Sequence, residues 1–206
     1  MATQSVPVRT PELIGVAARL FRDRGYDATT MQNIADELGI RKGSIYHYVE
    51  TKEDLLWMIV EAPLTELTET VRAILADETL SSMERIHRAV RAHAASFETH
   101  YPHMFVITRE NGETLSSKRR TALQKLRYEY YRLWKDAVAA GIESGEFRRD
   151  LHPSVTVQAI FGMLSWMFRW FSPEGRLSAA DIAEQFSSIL TGGIPALEPR
   201  ATAPAP

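Results

Sequence analysis

The chain has 206 residues, 45% hydrophobic and 24% charged, with 24 Lys and Arg against 26 Asp and Glu for a net charge of −2. That is the make-up of an ordinary globular protein, large enough for one sizeable domain or for a small one joined to a larger. It argues against a surface that is basic everywhere, and the absence of cysteine excludes disulfides, thiolate metal sites and Cys nucleophiles.

The opening MATQSVPVRTPEL lacks the apolar core of a secretory signal, so a cytoplasmic chain is the default expectation. The first helix is expected from Thr10, with Pro11 at its first position and Glu12 in its first turn. Leu13, Val16, Ala17, Leu20 and Phe21 form one apolar face, and Gly25 ends the run. Thr29 with Gln32 reads as a capping box for a second, short helix, with Ile34, Ala35 and Leu38 inward and Gly39 as a left-handed stop. RKGSIYHY follows as a third short helix built on Ile45. Two short helices across a glycine turn, behind a longer supporting helix, form the pattern of a helix-turn-helix.

Thr51 caps a long segment to about Leu75, with Glu53 and Asp54 in its first turn. Pro63 lies in its middle, where the loss of one hydrogen bond predicts a kink rather than a stop. Ser81 and Glu84 box a helix to about Thr99, and a short helix follows Pro102. Further helices are expected at about 117–144, closed by Gly145, at 153–171, and from near Ser178 to before Gly192. The proline-bearing tail from 195 buries little and is expected to be disordered. With no strand alternation and no repeat, the chain reads as all-α. AIFGMLSWMFRWF (159–171) is too short to span a membrane and contains Arg169.

The stretch GIRKGSIYHYVETK (39–52) concentrates groups that suit a polyanion. A helix start presents free N–H groups and a positive dipole end to phosphate. Arg41 and Lys42 add charge there, Gly43 permits close backbone approach, and the Ser44 hydroxyl can donate to phosphate. Tyr46, His47 and Tyr48 can pack on a sugar or a thymine methyl while hydrogen-bonding, although core packing is the leading reading for Tyr48. Lys52 opposes its own helix dipole, an arrangement that becomes favourable beside a bound anion, and Thr30 stands similarly at a helix start.

The run TTMQNIADELGIRKGSIYHYVETKEDLL resembles the DNA-binding segment of the TetR/AcrR family of bacterial regulators, over roughly residues 9–56. Its order of elements matches: Thr-Thr, Ile-Ala, a Gly turn, Lys-Gly-Ser, an aromatic-rich recognition helix and Lys-Glu-x-Leu. Arg41 departs from the pattern, where a small residue is commoner. The resemblance implies a homodimer, normally a repressor, with two recognition helices on a palindromic operator. It also implies three parts: residues 1–56 as the DNA-binding domain, 57–194 as a helical ligand-binding and dimerisation domain, and a tail at 195–206. It assigns Thr30, Lys42, Ser44, Tyr46, His47 and Lys52 to DNA contact; from the residue chemistry itself, Arg41 is a further candidate contact, and Arg41 and His47 are the candidate base readers. Movement of the kink at Pro63 would then link ligand binding to the DNA-binding heads.

By the same resemblance, the helices at 117–144 and 153–171 lie where the dimer forms. Ile160, Leu164, Met167 and Phe171 are assigned to burial, in the dimer interface or the core. Gly162 would let a neighbouring helix approach, or marks a packing compromise. Arg169 either reaches solvent or a carboxylate such as Glu174, or with Trp166 holds an anionic, apolar ligand. The end WMFRWFSPEGRLSAADIAEQFSSILTGGI is similar to a TetR branch controlling fatty-acid and sterol breakdown, which makes an acyl-CoA ester the leading effector. Phe97, Met104, Phe105, Tyr128, Tyr131 and Trp134 could line its pocket, or be core. Lys118, Arg119 and Arg120 could meet CoA phosphates, or form a solvated helix start.

No enzyme signature is present: no HExxH, GxSxG, phosphate loop or dinucleotide fingerprint. His93, His100 and His103 lack a further ligand at metal spacing, so neither metal nor cofactor is expected. The alternative to a DNA-binding regulator is a helical small-molecule-binding protein that does not bind DNA.

Overall fold

A computed structural model of the chain describes residues 10–109 and 112–193. Its helices are α1 (Thr10–Arg24), α2 (Met31–Glu37), α3 (Lys42–Ile45), α4 (Lys52–Leu75), α5 (Ser82–Thr99), α6 (Tyr101–Arg109), α7 (Ser117–Glu143), α8 (Pro153–Trp166) and α9 (Ala179–Gly193). Among the described residues there is no strand, and no helix is long and apolar enough to cross a membrane. The tail expected from residue 195 lies outside the described residues.

The described residues divide between two compact units. One takes the described residues up to Leu67 together with Thr99–Arg127; the other takes Thr68–Glu98 and the described residues from Tyr128 onward. In the first, the apolar face of α1 is sealed as its periodicity demands: Leu13 and Ala17 are fully buried, with Phe21 at 4% exposure. Gly25 and Gly39 have φ of 86° and 66°, the left-handed caps that end α1 and α2. α6 packs on α1, where the Arg22 guanidinium lies 5.0 Å from the centre of the Tyr101 ring. α4 runs through Pro63 without a stop.

Three boundaries differ from those read in the sequence. The cap of α2 is Thr30 with Asn33: the Thr30 hydroxyl accepts the Asn33 amide and the Asn33 side chain accepts the Thr30 amide. Thr29 has a tertiary task instead, its buried hydroxyl donating to the carbonyls of Leu20 and Gly25. α3 is helical for only four residues, and 46–48 form a turn. α8 ends at Trp166, and a 3-10 turn at Met167–Arg169 redirects the chain so that Phe171 turns inward, 6.2 Å from the Phe97 ring.

In the second unit, Ile86, Val90 and Phe97 of α5, Trp134 and Val138 of α7, and Val157, Ile160 and Leu164 of α8 form the core. Gly145, at φ 82°, closes α7 and returns Phe147 against Gly141. Glu146 reaches α5, accepting from the Ser82 amide and hydroxyl at the helix start.

Candidate nucleic-acid interface and buried polar cluster

Around α3 the sequence places side chains outward in a pattern that its brevity enforces. Ile45 is fully buried and Val49 nearly so, which leaves Arg41, Lys42, Gly43, Tyr46 and His47 exposed and Ser44 and Tyr48 half-buried. Thr30, at the start of α2, is exposed as well. Tyr46 keeps 47% of its surface, a large area for an aromatic ring with no buried role in the protomer. The face thus presents two cations, a bare glycine, a hydroxyl, an imidazole and a phenol at one helix start.

Lys52 stands apart from this set. Its ammonium donates to the carbonyls of Tyr26 and Thr29, each at 2.8 Å, and lies 4.1 Å from the centre of the Tyr26 ring. Burial lowers its pKa, with Asp27 acting in the opposite sense. The fold therefore has its own use for a cation in the first turn of α4, which corrects the inference that only a bound anion would favour it. Two of its three donors are already engaged.

The carboxylates beside it cap α4. Asp54 accepts the amides of Glu50 at 3.0 Å and Thr51 at 2.7 Å, while its own amide donates to the Thr51 hydroxyl. Arg119 meets both Glu53 and Asp54. Arg120 donates to the carbonyls of Gly112, Glu113 and Leu115. Two cations of the 118–120 run are thus committed within the fold, and Lys118 alone of the three is left to solvent at the helix start.

A separate cluster fills the second unit. His93 Nδ1 and the Tyr130 hydroxyl share a 2.8 Å hydrogen bond among the rings of Phe97, Phe161 and Trp134. Burial lowers the His93 pKa to about 4, so the ring is neutral, and it raises that of the Tyr130 phenol. The Trp134 indole N–H faces the same phenol without completing a hydrogen bond, inside a fully buried residue. His93, weighed in the sequence only as a metal ligand, and Phe161 join the expected pocket residues Phe97 and Trp134 here. The signal was there in the spacing of His93 along Ile86, Ala89, Val90, Ala94 and Phe97, one inward face of α5.

The other pocket candidates divide. Phe97 and Trp134 are buried in the second unit, with Tyr131 half-buried; Met104 and Phe105 belong to the first unit. Tyr128, at 63% exposure, faces solvent because the helical period puts it opposite Tyr130 and Trp134. Trp166 is 57% exposed and Arg169 is exposed, its guanidinium 5.4 Å from the centre of the Trp166 ring and 5.9 Å from that of Phe168. Arg169 therefore avoids the cost of burial by lying on aromatic faces at the surface. Ile160, Leu164, Met167 and Phe171 are all buried within the protomer, which removes them as interface residues and leaves them as core.

Comparison with known proteins decides the family. Residues 13–57 match the model of bacterial regulatory proteins of the tetR family, and 79–194 match a tetracyclin repressor-like C-terminal domain. The chain is a TetR-family transcriptional regulator. This regulator is 31% identical over 186 residues to the HTH-type transcriptional repressor KstR2 of Mycobacterium tuberculosis, covering 90% of this chain and 92% of that one. A solved structure of the ketosteroid transcriptional regulator KstR2 of the same organism superposes with a TM-score of 0.86 at 32% identity, covering 93% of this chain and 97% of that one. The structure of AibR in complex with isovaleryl coenzyme A and operator DNA gives 0.76 at 27% identity, with 87% and 96% covered. The regulator shares its family's helix-turn-helix and helical C-terminal domain, and the family is not enzymatic.

Proposed function

We propose that the regulator is a cytoplasmic, dimeric repressor that reads a palindromic operator through the start of α3 and is released by an acyl-CoA ester. The observation that carries the DNA reading is the outward set Arg41, Lys42, Gly43, Tyr46 and His47 around a short helix and turn that bury Ile45 and Val49. Lys42 and the hydroxyls of Thr30 and Ser44 serve as phosphate ligands that set register. Arg41 and His47 read base edges, Tyr46 packs on the sugar edge, and Tyr48 is divided between contact and core. Lys52 has one donor left for a phosphate. The reading without DNA binding gives this exposed cationic turn nothing to do. Selecting fragments of the source genome on purified protein tests the choice: a recovered palindrome, bound with a steep salt dependence, supports it, and no salt-dependent retention of any duplex refutes it.

For the dimer, α8 offers Val155, Ala159, Gly162 and Trp166, all exposed and spaced as one stripe, with Ile189 exposed on α9. Apart from its chain neighbours and the backbone of α8 itself, nothing in the protomer lies within 4 Å of where a side chain at Gly162 would begin, which leaves room for a partner helix. The exposed residues of α7 beyond Tyr128 include Glu129, Arg132, Lys135 and Asp136, so α8 and α9 suit the role better than α7.

For the effector, the similar regulator AibR, crystallised with isovaleryl coenzyme A and operator DNA, supports an acyl-CoA class. Among the described residues of the second unit no Lys or Arg is buried. An acyl body would therefore enter the aromatic cluster, with a carbonyl or hydroxyl oxygen accepting from Trp134 and Tyr130, while the coenzyme phosphates stay at the surface. Titrating an operator complex with acyl-CoA esters, free acids and CoA separates these demands. Release by esters alone supports the proposal, and release by none of them overturns it.

A further inference from the structure

α3 is short and packs on α2 through few buried side chains. Four residues are helical, Ile45 and Val49 are its apolar anchors, and an open groove of about 400 Å³ lies beside it, lined by Tyr46, His47, Tyr48, Trp57, Met58 and Arg119 among others. A recognition helix seated this lightly needs another constraint if it is to meet base edges within hydrogen-bond tolerance.

That constraint lies in the two residues joining α3 to α4. The amides of Glu50 and Thr51 both donate to one Asp54 oxygen, at 3.0 and 2.7 Å. The other Asp54 oxygen accepts from Arg119, whose second terminal nitrogen stands 3.3 Å from Glu53. Glu53 in turn accepts the Ser116 amide at 3.0 Å, just before α7 begins. Two adjacent carboxylates at a helix start suit the dipole but repel one another, and a planar guanidinium bridges both. Burial pushes the Asp54 carboxyl up, yet the Arg119 and Thr51 hydrogen bonds outweigh it and hold it low; the Ser116 amide chiefly does the same for Glu53.

We propose that Arg119 is a positioning residue for operator recognition: from the first turn of α7 it clamps the Glu53–Asp54 cap, and through the amides of Glu50 and Thr51 it sets the attitude of α3. Arg119 touches no base. It also offsets two negative charges beside a surface that must accept a polyanion. The clamp lies wholly within the first unit and gives the start of α7 a direct hold on the recognition turn.

The inference rests on the operator reading, so the probes are the strongest genomic fragment from that selection and a scrambled duplex of equal length. If wild type binds no fragment selectively, the operator reading fails before the clamp is tested. Given selective binding, Arg119→Ala should lose about tenfold or more in affinity for the selected fragment and much less for the scrambled one. Arg119→Lys should recover the charge but only part of the affinity, because an ammonium cannot bridge two carboxylates as a fork does. Glu53→Gln removes one side of the fork, leaves the Asp54 cap, and should show a smaller selective loss even if Arg119→Ala does not fold. Hydrogen exchange at the Glu50 and Thr51 amides should quicken in Arg119→Ala without change in the core of the second unit. Equal losses on both duplexes, or unchanged affinity and exchange in folded Arg119→Lys and Glu53→Gln proteins, would overturn the assignment.

Discussion

Acidification should unseat the second unit through His93 before most carboxylates titrate. The imidazole is fully enclosed, hydrogen-bonded to Tyr130 and surrounded by rings, and burial lowers its pKa from an ordinary 6.5 to about 4. Between those values the unfolded chain binds a proton that the folded chain refuses, so stability falls as pH drops through the window. The linkage relation gives a loss of about 2 kcal/mol on going from neutral pH to pH 5, and about 3 kcal/mol if the whole interval is traversed. Urea denaturation of wild type and His93→Gln at a series of pH values isolates the effect, because every other titrating group is common to both. The substitution also alters the Tyr130 hydrogen bond, which offsets the whole curve without changing its slope. Wild type should therefore lose stability more steeply than the variant between pH 6.5 and 5. Parallel curves would show that His93 takes up no proton on unfolding in this range.

Other outcomes follow from named contacts. Lys42→Ala should weaken binding to all duplexes about equally and flatten the salt slope by roughly one unit, with melting temperature unchanged. Lys52→Ala should do the same and also cost about 1 to 2 kcal/mol of stability, since two carbonyls lose their donor; thermal melts beside salt-dependent titrations separate the two. A Cβ on Gly141 would meet the fully buried Phe147 ring at 2.3 Å, so Gly141→Ala should destabilise by about 1 to 3 kcal/mol, and Phe147→Leu should recover part of it in the double variant. Gly162→Arg should convert a dimer to monomers in sedimentation velocity without loss of helicity.

Much of the molecule was legible in local chemistry. The apolar face of α1 and the left-handed glycines at 25, 39 and 145 need only neighbours in sequence, and each stands where its pattern put it. The cap of α2 slipped by one residue because Thr29 is taken by the carbonyls of Leu20 and Gly25, a demand that no local motif reveals. The early end of α8 has a similar cause, since Phe171 is drawn inward to Phe97 across the unit. Periodicity could mark Ile160 and Leu164 as buried but could not say against what; they pack in the protomer's core, and the exposed stripe of α8 is the complementary set. Charge was least legible of all. Lys52 and Arg119 read as free cations in sequence, yet one serves backbone carbonyls and the other a pair of carboxylates.

In the proposed complex, the exposed start of α3 grips a duplex at two symmetric places. Hydroxyl-radical footprinting of the selected genomic fragment, with wild type and with a Tyr46→Ala, His47→Ala double variant, tests it most directly. Wild type should protect two backbone patches related by a dyad and about one helical turn apart, roughly 34 to 36 Å, and the folded double variant should lose both at the same concentration. A single unsymmetric patch, or the same footprint from the double variant, would contradict the account.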